Sequence, residues 1–184
     1  MVERGGVEDL EVLEGDEGEP EVGRHRDVGS ALLQTPLADV RRAAAVHVAP
    51  DAPVQKAVDL MRAKKVSAVV VVERGKARRV VGIFTERDLV NRALPARGWA
   101  KAPVSKFMTP GPETLRSKDP VAYALEKMSV GRFRHVPVVD DGGRAAGIVS
   151  ARDLVDFIVE LCPEECLNLP PEPDLALHPR AEGD

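Results

Sequence analysis

The sequence predicts a mixed α/β (α+β) fold in which two β-α-β-β-α repeats pack together with pseudo-twofold symmetry. The first observation is an internal repeat, because a shift of 67 and then 65 positions places residues 35–100 on residues 101–162. The second is a strand, turn and strand pattern inside each copy, and the third is the acidic composition of both ends. Together they predict a tandem module of about 130 residues between two tails, large enough for a core without disulfide or metal.

The two ends of the chain differ in charge from the middle. Residues 1–30 contain ten acidic side chains against three arginines, and residues 163–184 contain six against one. Residues 31–162 have a net charge of +8. Acidic segments with few large apolar side chains cannot offset the entropy lost on ordering. We therefore expect residues 1–30 to be a disordered tail and residues 163–184 to be an extended, proline-rich tail.

Each copy has the same predicted order of elements. Pro53 and Pro120 stand where a first helical turn tolerates proline, and an apolar stripe with helical spacing follows each of them. A β-branched run, a glycine turn, a second strand and a second helix come next. The predicted elements are a strand at 47–49, a helix at 54–65, strands at 67–73 and 80–84 and a helix at 86–94 in the first copy, and a strand at 113–115, a helix from 120, strands at 135–140 and 145–149 and a helix at 151–161 in the second.

The length of the apolar runs and the number of cysteines indicate which cellular compartment to expect. No run approaches the roughly 18 apolar residues that a membrane helix needs, and the N-terminal residues are acidic. Two cysteines are too few for a disulfide framework, so we expect a cytoplasmic protein without membrane or secretion signals. Cys162 and Cys166 could form half a metal site or a thiol switch, although two surface thiols near a helix end are the ordinary interpretation.

The sharpest motif is a hydroxyl followed three residues later by a carboxylate at the end of a strand. It occurs at Thr85 and Asp88 in the first copy and at Ser150 and Asp153 in the second. One interpretation is a helix N-cap with a reciprocal bond, close to a capping box. The other is a ribonucleotide site, since a helix start binds phosphate and a carboxylate accepts both hydrogens of a ribose diol. The motif alone leaves both open.

Basic side chains precede the strand at residues 136–140. Arg132, Arg134 and His135 should lie beside the place where the capped helix of the second copy begins, and charge-assisted contacts there would hold an anion. The ordinary alternatives are a solvated helix end for the arginines and a half-buried core histidine. The matching positions of the first copy are occupied by Lys64, Lys65, Ser67 and Ala68. We expect the first copy to hold an anion less firmly.

In combination these features resemble a cystathionine-β-synthase (CBS) domain pair, the Bateman module, over about residues 35–161. The resemblance is carried by the repeat order, the strand at 136–140, the linker at 107–110 and the paired Gly-x-x-Thr/Ser-x-x-Asp ends. It implies a regulatory module with two clefts between the copies that bind adenosine-containing ligands, such as AMP, ADP, ATP or S-adenosylmethionine. It also implies a homodimer that reports to an effector protein, whose identity the sequence does not give.

The resemblance also implies roles for individual residues. Thr85 and Ser150 would meet phosphate, Asp88 and Asp153 would hold ribose hydroxyls, and Arg134 and His135 would match a basic pair that meets phosphate. The sequence departs from the family pattern at residues 41–42, where Arg-Arg replaces Met-Thr, and at Ala68. We therefore expect the two clefts to differ in occupancy. The base would be lined by Ser67, Ala68, Val69, Val136 and Pro137.

Other functional classes fit less well. A triad of Ser150, His135 and Asp153 has no nucleophile elbow or oxyanion loop around it, so we expect no enzyme. Binding of nucleic acid is not expected either, because the positive charges are not interleaved with aromatic side chains. The alternative that stays open is a dimerisation or protein-interaction module with vestigial pockets, whose acidic tails recognise the partner.

Overall fold

The computed structural model describes residues 28–40, 44–163 and 166. The tail residues 1–27 and 167–184, and the pair Arg41-Arg42, lie outside this described part. Within it, no helix is long and apolar enough to cross a membrane. The elements are α1 (Val28–Gln34), β1 (His47–Val48), α2 (Val54–Lys64), β2 (Ala68–Val72), β3 (Val80–Thr85), α3 (Glu86–Asp88), β4 (Thr109–Pro110), β5 (Leu115–Arg116), α4 (Val121–Gly131), β6 (His135–Val139), β7 (Ala145–Ser150) and α5 (Ala151–Leu161).

The strands form two sheets that repeat one topology. The first sheet has the order β1-β2-β3-β4 and the second has the order β5-β6-β7. In each repeat the first strand runs parallel to the second, which pairs antiparallel with the third. Val71 pairs with Gly82 in the first sheet, and Val138 pairs with Gly147 in the second. The predicted β-α-β-β-α repeat is therefore confirmed.

The helices α2 and α4 begin and end in the same way. Pro53 and Pro120 precede them, where a missing N–H costs no helical hydrogen bond. Each helix buries a valine, an alanine and a methionine on one face. At their ends, Lys65 and Arg132 adopt left-handed conformations with φ of 53° and 54°. This left-handed residue ends the helix and turns the chain towards the next strand.

The segments that lead into each repeat pack on the opposite repeat. The backbone N–H of Leu37 donates to the carbonyl of Asp119 at 2.9 Å, and that of Val104 donates to Ala52 at 2.8 Å. Both apolar side chains are fully buried, Leu37 in the core of the second repeat and Val104 in that of the first. The helix α1 also contacts α4 and α5, although its residues 28–30 were predicted to belong to the tail. Because each leading segment packs in the core of the other repeat, the two repeats are held together.

The second helix of the first repeat differs from the prediction. The sequence predicted one helix over residues 86–94, but α3 is three residues long and continues as a π-helical turn, Leu89–Ala93. The wider turn is closed by a hydrogen bond from the Leu94 N–H to the Leu89 carbonyl at 2.9 Å. It buries Ala93 fully in the first core. The matching helix α5 is a regular helix of 11 residues.

A third apolar cluster lies between the two repeats. It contains Val70, which is fully buried, together with Ile83 of the first sheet and Ile148 of the second. The hairpin turns meet as well, because the Val80 N–H donates to the Gly143 carbonyl at 3.3 Å. Apolar burial and hydrogen bonds therefore hold the repeats side by side.

The segment with Leu37, which leads into the first repeat but packs on the second, should contribute strongly to the stability of the fold. We expect Leu37→Ala to lower the free energy of unfolding by roughly 2 to 5 kcal/mol, because it leaves a cavity in the second core. Leu33→Ala, in α1 just before the turn with Leu37 and 63% exposed, should change it by less than about 0.5 kcal/mol. Urea denaturation of both variants measures the difference. Equal small effects would contradict the assignment of Leu37 to the second core.

Candidate functional site

A cleft of about 1220 Å³ lies between the two repeats. We call it the Asp153 cleft. One wall comes from α2, the residues just before β2, and α3 with the turn that follows it in the first repeat. The other comes from the start of β6, the end of β7 and the first half of α5. The lining residues are Val58, Met61, Arg62, Lys65, Val66, Ser67, Glu86, Leu89, Arg134, His135, Ile148, Ser150, Ala151, Arg152, Asp153, Val155 and Asp156.

The helix α5 starts at the wall of this cleft with a reciprocal cap. The backbone N–H and the hydroxyl of Ser150 both donate to Oδ2 of Asp153, each at 2.7 Å. The Asp153 N–H returns a bond to the Ser150 hydroxyl at 3.3 Å. Both residues are partly exposed. The N-cap interpretation of the motif is therefore confirmed, and the carboxylate is held rigidly where strand and helix meet.

The cap uses only one oxygen of the Asp153 carboxylate. Among the described residues, no hydrogen bond or ion pair engages its Oδ1. Phe157 stands one turn further along α5, so that no charged side chain at this position of the helix reaches back to the carboxylate. An acceptor on a cleft wall is left available for a ligand.

The first repeat has the same cap with an additional partner. Thr85 donates to Oδ2 of Asp88 from its N–H at 3.0 Å and from its hydroxyl at 2.8 Å. The guanidinium of Arg92 forms an ion pair with the other oxygen, Oδ1, at 3.2 Å. Asp88 is only 7% exposed. Both oxygens of this carboxylate are thus engaged within the chain.

A hydrogen bond joins the two repeats inside the Asp153 cleft. The hydroxyl of Ser67 lies 2.8 Å from Nε2 of His135. Burial holds the pKa of His135 below its usual value of 6.5, and the positive charge of Arg134 lowers it further, while Asp153 acts in the opposite direction. The imidazole therefore favours its neutral form, in which it can share a hydrogen bond with the hydroxyl.

The charges around the cleft are mixed. Arg62, Lys65 and Arg134 supply positive charge, whereas Glu86 and Asp153 supply negative charge. Arg152 lies 3.9 Å from Asp156, one turn along the same helix. This arrangement can bind a molecule that carries both an anionic group and hydroxyls that donate hydrogen bonds.

Metal ligands are not clustered in the described part of the chain, where no group of three or more His, Cys, Asp or Glu residues could hold an ion. The thiol sulfurs of Cys162 and Cys166 lie 3.6 Å apart beyond the end of α5. Both side chains are partly buried. They stand away from the residues that line the cleft.

The structure brings part of the predicted site together. Ser67, Arg134, His135, Ser150 and Asp153 line the Asp153 cleft. The other predicted residues do not line it. Thr85 and Asp88 form the cap of the first repeat and Arg132 ends α4, while Ala68, Val69, Val136 and Pro137 are buried in the sheets. Because Val69 and Val136 pack into the two separate cores, only their backbone atoms could face a ligand.

One wall of the cleft was missed in the sequence. Val58, Met61 and Arg62 of α2 line the cleft, although the sequence indicated only a half-buried helix. Lys65, the C-cap of this helix, lines the same cleft, whereas we expected it to hold an anion in the first copy. The sequence feature that could have indicated this wall is the helical spacing of α2, because its apolar stripe continues at helical intervals into Arg62 and Lys65. Nothing local to α2 shows that its partner across the cleft is α5.

Comparison with known proteins identifies the family. The CBS domain family profile matches residues 37–94 and 104–160. These two matches cover more than half of the chain, and they coincide with the two repeats. The chain belongs to the CBS domain family and contains a tandem CBS pair.

Relatives of similar and of greater length are found. An uncharacterised 17.7 kDa protein of Acidianus ambivalens is 30% identical over 129 residues, which are 70% of this chain and 76% of that protein. The CBS domain-containing protein CBSCBSPB1 of Arabidopsis thaliana is 30% identical over 123 residues, which are only 22% of its length. The chain thus matches most of one small protein and about a fifth of a longer one.

Two solved structures with bound ligands share the fold. A CBS domain protein from Pyrobaculum aerophilum, complexed with AMP, has a TM-score of 0.63 and 27% identity over 70% of this chain and 99% of its own. The CBS domain pair of protein MJ0100, in complex with 5′-methylthioadenosine and S-adenosyl-L-methionine, has a TM-score of 0.62 and 25% identity over 68% and 97%. All three ligands contain adenosine.

His135 should make stability depend on pH. The unfolded chain binds a proton on this imidazole near its ordinary pKa of 6.5, whereas the folded chain binds it only at lower pH. The unfolded state therefore holds more protons between the two pKa values, and stability falls as the pH is lowered through that window. We expect His135→Gln to lose less stability than the wild type between about pH 7.5 and about pH 5.

Urea denaturation at both pH values measures this difference. His47→Gln, at an exposed histidine of β1, serves as the matched control and should behave like the wild type. An identical loss of stability in wild type and His135→Gln would contradict the prediction.

Proposed function

We propose that this protein is a regulatory CBS pair that binds one adenosine-containing ligand in the Asp153 cleft. The observation that carries the proposal is the Asp153 carboxylate, which is held by the Ser150 cap through Oδ2 and has its Oδ1 uncommitted among the described residues. A carboxylate oxygen accepts hydrogen bonds from the two hydroxyls of a ribose. The cleft is large enough for a nucleoside with an anionic substituent.

The rest of the cleft supports the same ligand class. Arg62, Lys65 and Arg134 are suited to a phosphate, and Val58 and Ile148 offer apolar surface to a base. AMP, ADP, ATP and S-adenosylmethionine all carry the ribose and the base, and they differ in the charged group. Bound AMP and bound S-adenosyl-L-methionine in the two solved relatives support this range.

The hydroxyl of Ser150 has a positioning role in this proposal. It accepts the Asp153 N–H and donates its own hydrogen to the Asp153 carboxylate. A phosphate could receive that hydrogen only if the cap were broken. Ser150 therefore orients Asp153, and the basic side chains meet the anion.

The signal would pass through the relative position of the repeats. A ligand in the cleft contacts both walls, as the bond between Ser67 and His135 already does. Binding favours the arrangement that has the higher affinity for it, and a dimer of such modules would transmit the shift to a cytoplasmic effector protein. The protein is then a regulator and not an enzyme.

Loss of the Asp153 carboxylate should weaken binding. We expect Asp153→Ala to raise the dissociation constant for AMP, ATP or S-adenosylmethionine by about 10-fold or more, because bonds to a charged acceptor contribute roughly 1.5 to 3 kcal/mol. Isothermal titration calorimetry measures it. Ser150→Ala, which removes the hydroxyl that orients the carboxylate, should weaken binding less.

The control is Asp141→Ala, at a carboxylate that is 83% exposed and lies in the turn after β6. It should bind as the wild type does. Absence of heat and of thermal stabilisation with all three ligands at millimolar concentration would refute the proposed function.

A dimerisation module is the second candidate function. Val90 is 58% exposed and Val155, which also lines the Asp153 cleft, is 57% exposed. These residues occupy equivalent positions in the helical segments after the two caps. Leu94 adds a further apolar side chain that is 49% exposed. Apolar surface repeated by the pseudo-symmetry is suited to a second copy of the same chain.

Charged side chains on this surface should prevent dimer formation. We expect the double variant Val90→Glu and Val155→Glu to elute as a monomer where the wild type is a dimer, because a carboxylate would be desolvated in the interface. Light scattering after size-exclusion chromatography measures the mass. Val130→Glu, at an exposed valine of α4, is the control. A wild-type monomer at all concentrations would exclude this function.

A further inference from the structure

The cap of the first repeat and the end of α4 face each other across a second boundary between the repeats. We call this place the Asp88 site and define it by Thr85, Asp88 and the backbone of Arg132. By the repeat shift it corresponds to Ser150, Asp153 and Lys65 of the Asp153 cleft. The Asp88 site and the Asp153 cleft differ in the arginine contacts that the chain forms at each of them.

Arg92 engages the carboxylate that a ribose would need. Its guanidinium pairs with Oδ1 of Asp88 at 3.2 Å. The same nitrogen lies 3.3 Å from the carbonyls of Phe107 and Met108 and 3.4 Å from the hydroxyl of Thr109. The π-helical turn sets Arg92 against the linker between the repeats. One side chain thus ties the carboxylate to the segment at residues 107–109.

Arg87 crosses the same boundary. Its guanidinium donates to the carbonyl of Arg132 at 3.2 Å, which joins α3 of the first repeat to the end of α4 of the second. The equivalent residue of the second repeat, Arg152, pairs instead with Asp156 of its own helix and is 88% exposed. The Asp153 cleft is therefore not bridged by its arginine, whereas the Asp88 site is.

We propose that Arg87 and Arg92 occupy the Asp88 site from within the chain and so limit the protein to one adenosine-containing ligand. The proposal rests on the proposed function for the class of ligand. Arg92 engages the carboxylate oxygen of Asp88 that the cap leaves over, and Arg87 spans the boundary between α3 and the end of α4, where a ligand would have to lie. At the matching positions around Asp153, Arg152 pairs with Asp156 of its own helix and Phe157 stands in place of Arg92, which leaves that cleft open.

The experiment counts the AMP molecules bound per chain by equilibrium dialysis at saturating AMP. We expect Arg92→Gln, and more fully Arg87→Gln with Arg92→Gln, to bind one AMP more than the wild type. Arg92→Met is the second variant should the glutamine side chain also bond Asp88. Since Arg92 is 52% exposed, the variants should fold, and thermal denaturation checks this.

Two further variants locate the added molecule. Adding Asp88→Ala to the Arg92 variant should remove the gained site, and adding Asp153→Ala should leave it. Arg74→Gln breaks an exposed ion pair with Asp51 away from the site and should leave the count unchanged.

The outcomes separate this proposal from the proposed function. A wild type that binds no AMP refutes binding at the Asp153 cleft, yet a molecule gained by Arg92→Gln and lost again with Asp88→Ala would still support closure by arginine. A wild type that already binds two molecules overturns the closure. An unchanged count in all the folded arginine variants, Arg92→Met included, also overturns it.

Discussion

The hydrogen bonds between a hydroxyl and the carboxylate three residues later determine much of this structure. At Ser150 and Asp153 they end a strand, start a helix and fix the rotamer of a carboxylate in one step. Because a single oxygen of Asp153 satisfies the hydroxyl and the N–H, the second oxygen remains on a cleft wall without strain or added polar burial. The cap leaves one oxygen of the same residue uncommitted among the described residues, so the helix-cap interpretation and the proposed ligand acceptor are compatible.

The cleft also depends on the exchange of leading segments. Leu37 belongs to the core of the second repeat and Val104 to the core of the first, so neither repeat has a complete core without the other. The sheets are further joined by Val70 and Ile148 in the shared cluster. In the proposed function, a ligand between the repeats would therefore act on both repeats, because each core includes a side chain from the segment that leads into the other repeat.

Prediction from sequence succeeded for features that are local or repeated. Proline at helix starts, β-branched strands and the capped ends recur at a constant shift, so each copy supports the assignment in the other. Prediction from sequence failed where the local structure depends on contacts between residues that are far apart in the chain. The helix predicted at residues 86–94 widens into a π-turn as Ala93 enters the core, and nothing near it in sequence shows that Arg92 meets the linker. The wall formed by α2 was missed for the same reason.

By itself, the sequence determined the duplication, the order of elements, the family resemblance and the pairs of hydroxyl and carboxylate, since these follow from spacing along the chain. Only the tertiary structure decided that two equal motifs have unequal surroundings. Asp88 receives an arginine through a π-turn, while Asp153 has Phe157 at the equivalent place and opens on a cleft. Repetition makes the motifs alike, but the hydrogen bonds available to each carboxylate depend on side chains that folding brings from other segments.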